Sequence, residues 1–340
     1  MKKILITGAA GFIGFHLSRK FSSLGFNVVG IDSLNDYYDT QLKNDRLEQL
    51  SSINNFTFLQ ISITDKEKID QLFKCENFEY VINLAAQAGV RYSIDHPYKY
   101  IDANLVGFIN ILEACRAFPV KHLIFASSSS VYGANRKIPF AESDHADHPV
   151  SLYAATKKAN EMMAHSYSSL YNISCTGLRF FTVYGPWGRP DMAYFKFAQS
   201  IIEGKVIKVF NNGDMGRDFT FIDDIVESIS RLLDCLPKKV ENLNSSPHIS
   251  QVAPFAVYNI GNNTPVRLLD FIEILEKHLG IKAVKEFLPM QPGDVKETFA
   301  DIERLSSVVN FYPNTTLNDG LDSFVKWFKE YYQIKQLRPD

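Results

Sequence analysis

The chain has 340 residues, 46% hydrophobic and 22% charged, an ordinary composition for a soluble globular protein with room for one large or two smaller domains. Its 36 basic and 38 acidic side chains nearly cancel, which excludes bulk attraction to nucleic acid or to an anionic membrane and leaves only local anion sites. Cys75, Cys115, Cys175 and Cys235 stand far apart with no Cys-x-x-Cys and no paired metal spacing, so they read as buried, reduced thiols in a cytoplasmic protein without a metal centre.

In chain order, apolar β-branched runs at 3–7, 27–31, 56–61, 80–84, 122–127 and 174–180 alternate with helical segments. Strands joined by helical crossovers predict an α/β fold, a doubly wound parallel sheet covered on both faces. The first run, Ile4-Leu5-Ile6 after Met1-Lys2-Lys3, is cut short at Thr7-Gly8 and lacks the cleavage site of a signal peptide. No later segment approaches membrane-spanning length.

Directly after that run comes Thr7-Gly8-Ala9-Ala10-Gly11-Phe12-Ile13-Gly14. Gly8, Gly11 and Gly14 there permit a tight turn and close backbone approach to a pyrophosphate, while the helix opening at Phe12 and Ile13 aims its N-terminus at the anion. Asp32 ends the second run, about 20 residues on, where a carboxylate accepts both adenosine ribose hydroxyls and repels a 2′-phosphate. NAD is therefore favoured over NADP, a turn or N-cap aspartate being the other reading. Leu84, Ala85, Ala86 and Gln87 close the fourth run; small residues there admit a cofactor to the backbone or simply pack a sheet edge.

The fifth run ends in Ser127, Ser128, Ser129 and Ser130. Hydroxyls at the carboxyl edge of a sheet lie where open α/β folds bind ligands, although a serine-rich turn has the same composition. Tyr153 and Lys157 follow, one helical turn apart and so on one helix face. An ammonium beside a phenol favours the phenolate, which could take a proton from an alcohol, whereas alone such a pair is mostly a solvated face.

Past residue 180 the pattern loosens into a Gly- and Pro-rich stretch at 184–190 and a short strand at 207–210. Segments 223–233 and 257–260 read as a helix and a strand that return to the large sheet. A helix at 266–278, a strand near 284–288 and a helix at 317–332 make a smaller lobe, and 237–254 reads as an exposed loop. The expected division is a dinucleotide domain at 1–180 with returning segments near 223–262, and a substrate lobe at 181–222 and 263–340.

Gly-x-x-Gly-x-x-Gly at the start, a serine after a central strand and Tyr-x-x-x-Lys beyond it are together similar to the extended short-chain dehydrogenase/reductases, the NAD-dependent epimerase/dehydratase group. The segments 35–39, 84–93, 180–192 and 288–295 extend the likeness from end to end and, within that group, resemble the UDP-glucuronate 4-epimerases of bacteria and plants. The resemblance implies a Rossmann domain with a smaller C-terminal α/β lobe, and bound NAD. It also implies a homodimer built on the helices at 105–117 and 152–171. Tyr153, Lys157 and Ser128 would be catalytic, with Lys157 also on the nicotinamide ribose. Phe180 and Val183 would lie under the nicotinamide ring. Ser62 stands where many relatives carry an adenine-binding aspartate, leaving the contact to the Ile63 backbone.

Serines at 129 and 130 argue against dehydration and decarboxylation, since dehydratases of the group place Asp-Glu there and elimination needs a further acid and base. For a UDP-sugar substrate the resemblance implies Gln87, the serines 128–130, Thr182, Arg217, Gln291 and Asp294. Arg189 would hold a C5 carboxylate with paired hydrogen bonds, a structural salt bridge being the alternative. Phe210 would neighbour uracil or pack in the core, and Arg91 would meet an anion or brace a loop. A 4-epimerase of neutral or N-acetylated UDP-sugars and a non-catalytic NAD-binding module are the rival readings.

Overall fold

The computed structural model describes residues 2–239, 250, 252–290 and 296–334. Strands β1 (Lys3–Thr7), β2 (Asn27–Asp32), β3 (Phe56–Gln60), β4 (Tyr80–Asn83), β5 (His122–Ser128) and β6 (Cys175–Phe180) build one sheet. The smaller lobe follows with β7 (Thr182–Tyr184), β8 (Ile207–Phe210) and β9 (Gly216–Phe221); β10 (Phe255–Ile260) then returns to the large sheet. Its seven strands run in the order β10-β6-β5-β4-β1-β2-β3, every pairing parallel. Every residue of β4 and β10 is buried, because helices cover both faces and the strands have no side to show to water.

The strand order reverses between β1 and β4, which opens a crevice at the carboxyl ends of these two strands. The glycine-rich turn after β1 and the Leu84–Gln87 segment after β4 meet in it. Strand β11 (Pro265–Arg267) pairs antiparallel with β9, and β13 (Glu297–Thr298) and β7 pair parallel with it. Strand β12 (Lys285–Leu288) pairs with β8. The helix Leu317–Tyr331 closes the lobe, sending Phe324 and Phe328 into the same core as Tyr194 and Phe195.

Three local expectations change. The helix expected from 266 starts at Leu268, because Pro265, Val266 and Arg267 are drawn into pairing with β9. The helix expected from 105 runs as Gly107–Ala117, preceded by a π-turn at Ile101–Val106 that points Asn104 inward. Cys115 and Cys175 are buried, whereas Cys75, near the end of the helix Lys66–Glu76, is exposed and Cys235, just past the helix Ile222–Leu232, is half-exposed. Most of the loop at 237–254 lies outside the described residues. Among the described residues no helix is long and apolar enough to cross a membrane.

Candidate active site

Strand β1 delivers Gly8 with φ of +72°, the left-handed region that glycine tolerates best. A Cβ on Gly8 would stand 2.9 Å from the Ala85 amide nitrogen, and one on Gly14 only 2.1 Å from the Gly8 carbonyl. The helix Phe12–Ser23 can therefore start hard against the turn. Gly11, its N-cap residue, offers no side chain to its first amides, leaving an anion-accepting end. Asp32 anchors the rim of this cradle, accepting from the amides of Ala10 at 3.2 Å and Leu34 at 2.9 Å. Thr7 Oγ1 donates to Asn83 at 2.7 Å and accepts from the Ala85 amide at 3.0 Å, which fixes β4's exit beside the glycines. A cradle that any side chain would fill, with a carboxylate at its rim, fits a dinucleotide. Ser62 is engaged in a local turn with Thr64 at 2.7 Å. Ile63 is buried and its carbonyl accepts from Asn110 at 2.9 Å, so an adenine contact would fall to its amide.

Ser128 ends β5, and its Oγ donates to Ser130 Oγ at 3.1 Å and accepts from the Ser130 amide at 3.2 Å. Ser127 points the opposite way, to Glu161 at 2.7 Å. Glu161 in turn holds Arg179 at 2.8 and 2.9 Å, a buried ion pair bracing β5, β6 and the helix Leu152–Tyr171 beneath the site. Ser151 caps that helix by accepting from the Ala154 amide at 3.1 Å, which sets Tyr153 in its first turn.

The Ser128 hydroxyl neighbours the Tyr153 phenol and acts to lower its pKa. The balance of the electrostatics differs from the sequence expectation. Burial raises the Tyr153 phenol above its ordinary pKa, and the opposing influences are the Ser128 hydroxyl and the charge of Arg189. Lys157 instead donates to the Ala126 carbonyl at 2.8 Å, and burial lowers its own pKa to about 8. In the protein alone the phenol is thus held neutral, because desolvation outweighs the cations around it.

Arg189 stands in a bidentate pair with Asp191, at 3.0 and 2.6 Å, and Tyr37 donates to the same carboxylate at 3.1 Å. Arg189 is thus a salt-bridge partner of the protein's own carboxylate, and its charge reaches the Tyr153 phenol. Gln87 is buried, its amide donating to Asn104 at 2.8 Å. Asn104 also donates to Thr156 at 3.0 Å and accepts at its carbonyl from Asn160 at 2.6 Å, so the π-turn locks the helix Leu152–Tyr171 to β4's exit.

Phe180 is half-buried at the end of β6, and Thr182 and Val183 lie in β7, the last packed into the core. Arg217, in β9, donates to the carbonyls of Gly216 at 2.8 Å and Lys296 at 3.2 Å. Phe210 is half-buried at the end of β8, and Arg91 is exposed at the start of the short helix Tyr92–Asp95. Ser129 opens the 3₁₀ turn Ser129–Tyr132. Gln291 and Asp294 lie outside the described residues. Sequence reasoning missed Asn104, Asp191, Tyr37 and Tyr100, whose ring meets Tyr153 edge-on at 6.1 Å. Tyr37 and Asp191 carried a signal, through their places in the segments 35–39 and 180–192.

Comparisons with known proteins agree with this geometry. The NAD dependent epimerase/dehydratase family model matches residues 4–246. Protein CapI of Staphylococcus aureus is 55% identical over 333 residues, covering 97% of this chain and 99% of the relative. A probable UDP-glucuronate 4-epimerase of Rhizobium meliloti is 48% identical over 334 residues, covering 97% of this chain and 98% of its own. The crystal structure of UDP-glucuronic acid 4-epimerase from Bacillus cereus, in complex with UDP-glucuronic acid and NAD, matches with a TM-score of 0.86 at 34% identity, over 97% of this chain and 100% of that one. A glycine cradle, a serine hydroxyl beside a buried tyrosine and a buried lysine on one frame, matched along nearly the whole length, place this chain in the NAD dependent epimerase/dehydratase family.

Proposed function

We propose that the protein is an NAD-dependent isomerase that interconverts UDP-glucuronate and UDP-galacturonate by inverting C4 through a transient 4-keto sugar. The observation that carries this reading is the Tyr153 phenol beside the Ser128 hydroxyl at the sheet edge, within the field of Arg189 and with no carboxylate among residues 127–130. Such a site has one proton relay and lacks the extra acid and base that elimination requires.

Gly8, Gly11, Phe12, Ile13 and Gly14 would hold the pyrophosphate and Asp32 the adenosine ribose. Ser62 and Ile63 would face adenine, while Leu84, Ala85, Ala86, Lys157, Phe180 and Val183 would line the nicotinamide half. When bound, NAD supplies a reversible hydride acceptor and a positive charge. Tyr153, once its phenol has given up its own proton beside that charge, would take the O4 proton, Ser128 would share it, and Lys157 would orient the pair from its hold on Ala126. Gln87, Ser129, Ser130, Thr182 and Arg189 position the hexuronic acid, and Arg217, Phe210, Gln291, Asp294 and Arg91 meet the nucleotide side. Holding the C5 carboxylate in the plane of the 4-keto group keeps this β-keto acid from losing carbon dioxide. Residues 1–180 with the returning segments near 223–262 would carry the cofactor, and 181–222 with 263–340 the sugar nucleotide. The four thiols without disulfides support a cytoplasmic enzyme, and we take it to be a homodimer.

Purified protein given UDP-glucuronate should form UDP-galacturonate without added reductant. Release of a UDP-pentose or of a 6-deoxy-4-keto sugar would overturn the assignment. One observation favours a second reading: Asp191 already fills two donors of Arg189, as suits a neutral sugar, so rates on UDP-galactose and UDP-glucuronate should be compared side by side.

A further inference from the structure

Three consecutive carbonyls lie just before Arg189, and all three are held by side chains from the dinucleotide half. Pro186 O accepts from His16 Nε2 at 3.0 Å. Trp187 O accepts from Arg46 Nε at 3.2 Å and Nη2 at 2.7 Å, and Gly188 O accepts from Nη2 at 3.1 Å. The remaining nitrogen, Nη1, donates at 2.8 Å to Ala10 O inside the glycine turn and at 2.8 Å to the Tyr38 hydroxyl.

Arg46 is fully buried, and every one of these acceptors is a neutral oxygen. A buried cation without a carboxylate on its fork is a costly way to stabilise a fold. What the geometry does suit is bridging, since a rigid planar fork reaches two separate loops at once, which a single-centred ammonium cannot do. His16 stays neutral, its pKa lowered to about 3 by burial and by the charges of Arg19 and Arg46, so its bond to Pro186 persists across the working pH range. Between these two braces, Trp187 sits at φ +59°, a conformation that a bulky residue keeps only where its surroundings impose it.

We propose that Arg46 and His16 are positioning residues that fix the Pro186–Gly188 backbone, and through it Arg189, against the glycine turn, so that the sugar's acid group and the cofactor share one frame. This rests on the reading that Arg189 meets the C5 carboxylate. The braces then set the preference for an acidic sugar without touching it.

The test is isothermal titration of UDP and UDP-glucuronate into NAD-loaded protein carrying Tyr153→Phe, which stops turnover. Adding Arg46→Lys should weaken UDP-glucuronate about tenfold, the worth of a misaligned charge-assisted bond, while UDP stays within about twofold. His16→Phe keeps a ring in place, removes one carbonyl contact, and should weaken UDP-glucuronate about threefold in the same selective manner; it decides the matter if Arg46→Lys does not fold. Equal losses for both ligands would mean general loosening and overturn the proposal, as would no change. Arg189→Gln is the control. If it leaves the preference for UDP-glucuronate intact, the reading of Arg189 falls and this proposal with it. If it abolishes the preference while both brace variants keep it, only the positioning role fails.

Discussion

Lys157 enters the site stripped of water, with the Ala126 carbonyl as acceptor, and its pKa drops to about 8 from the 10.5 of a free lysine. Between those values the unfolded chain still binds a proton that the folded chain has released, so stability attributable to this residue rises with pH across that window. Below about pH 8 the folded protein bears the whole cost of a buried charge. The melting temperature of wild type minus that of Lys157→Met should therefore climb from about pH 8 upward and be flat below about pH 7. A difference that never changes with pH would show that the lysine keeps its charge when buried. Tyr153→Phe removes one hydroxyl from a site whose rate depends on proton transfer, so kcat should fall by at least about a hundredfold with the fold and NAD content retained; full activity would dismiss Tyr153 as the base. At this scale, Tyr153 and the glycines were legible in their spacing, and Ser128 was picked out of four serines by the family resemblance. Arg46 was not, because its acceptor Trp187 lies 141 residues away in sequence. Nor was the sign of the Tyr153 shift, since desolvation depends on packing that no local pattern encodes.

At the level of elements, the parallel strands β1 to β6 could be read to within a residue or so because the apolar runs are compact, with both faces buried in all but the part-exposed edge strand β3. The pieces β7, β9, β11 and β13 escaped notice. They are two to six residues long, and partners far along the chain hold them together. The helix caps permit a paired prediction. Ser151 caps the helix that carries Tyr153, and Thr316 caps Leu317–Tyr331 through the Asp319 amide at 3.2 Å. Replacing either by Ala should cost about 1 kcal/mol in denaturant unfolding. Only Ser151→Ala should also lower kcat, since Tyr153 lies within the turn that frays. If both variants turn over at the wild-type rate, the cap does not set the phenol. Gly14→Ala forces the helix Phe12–Ser23 away from the Gly8 carbonyl, so the purified variant should lose its NAD, seen as the loss of nicotinamide released on denaturation.

For the whole molecule, the outer surface of the helical face beside the site carries apolar residues that the fold leaves uncovered. Ile94 and Tyr98, four residues apart, are 76% and 81% exposed, and Met162 and Leu170 on the catalytic helix are 52% and 69% exposed. Val106, at the end of the π-turn, is also exposed. Exposed apolar side chains on neighbouring helical segments are the kind of surface that marks an interface, and a two-fold axis would let them cover their copies in a partner. This face includes the helix of Tyr153 and the π-turn of Asn104, so pairing would stiffen the segments that orient the proton relay. Light scattering should give wild-type protein a mass of twice the 38.6 kDa chain. Tyr98→Glu with Met162→Glu would bury two carboxylates in that contact, a penalty of several kcal/mol that should return the mass to a single chain. A wild-type protein running at single-chain mass would refute the dimer. Dissociation with undiminished kcat would show that the proton relay needs no partner to hold it.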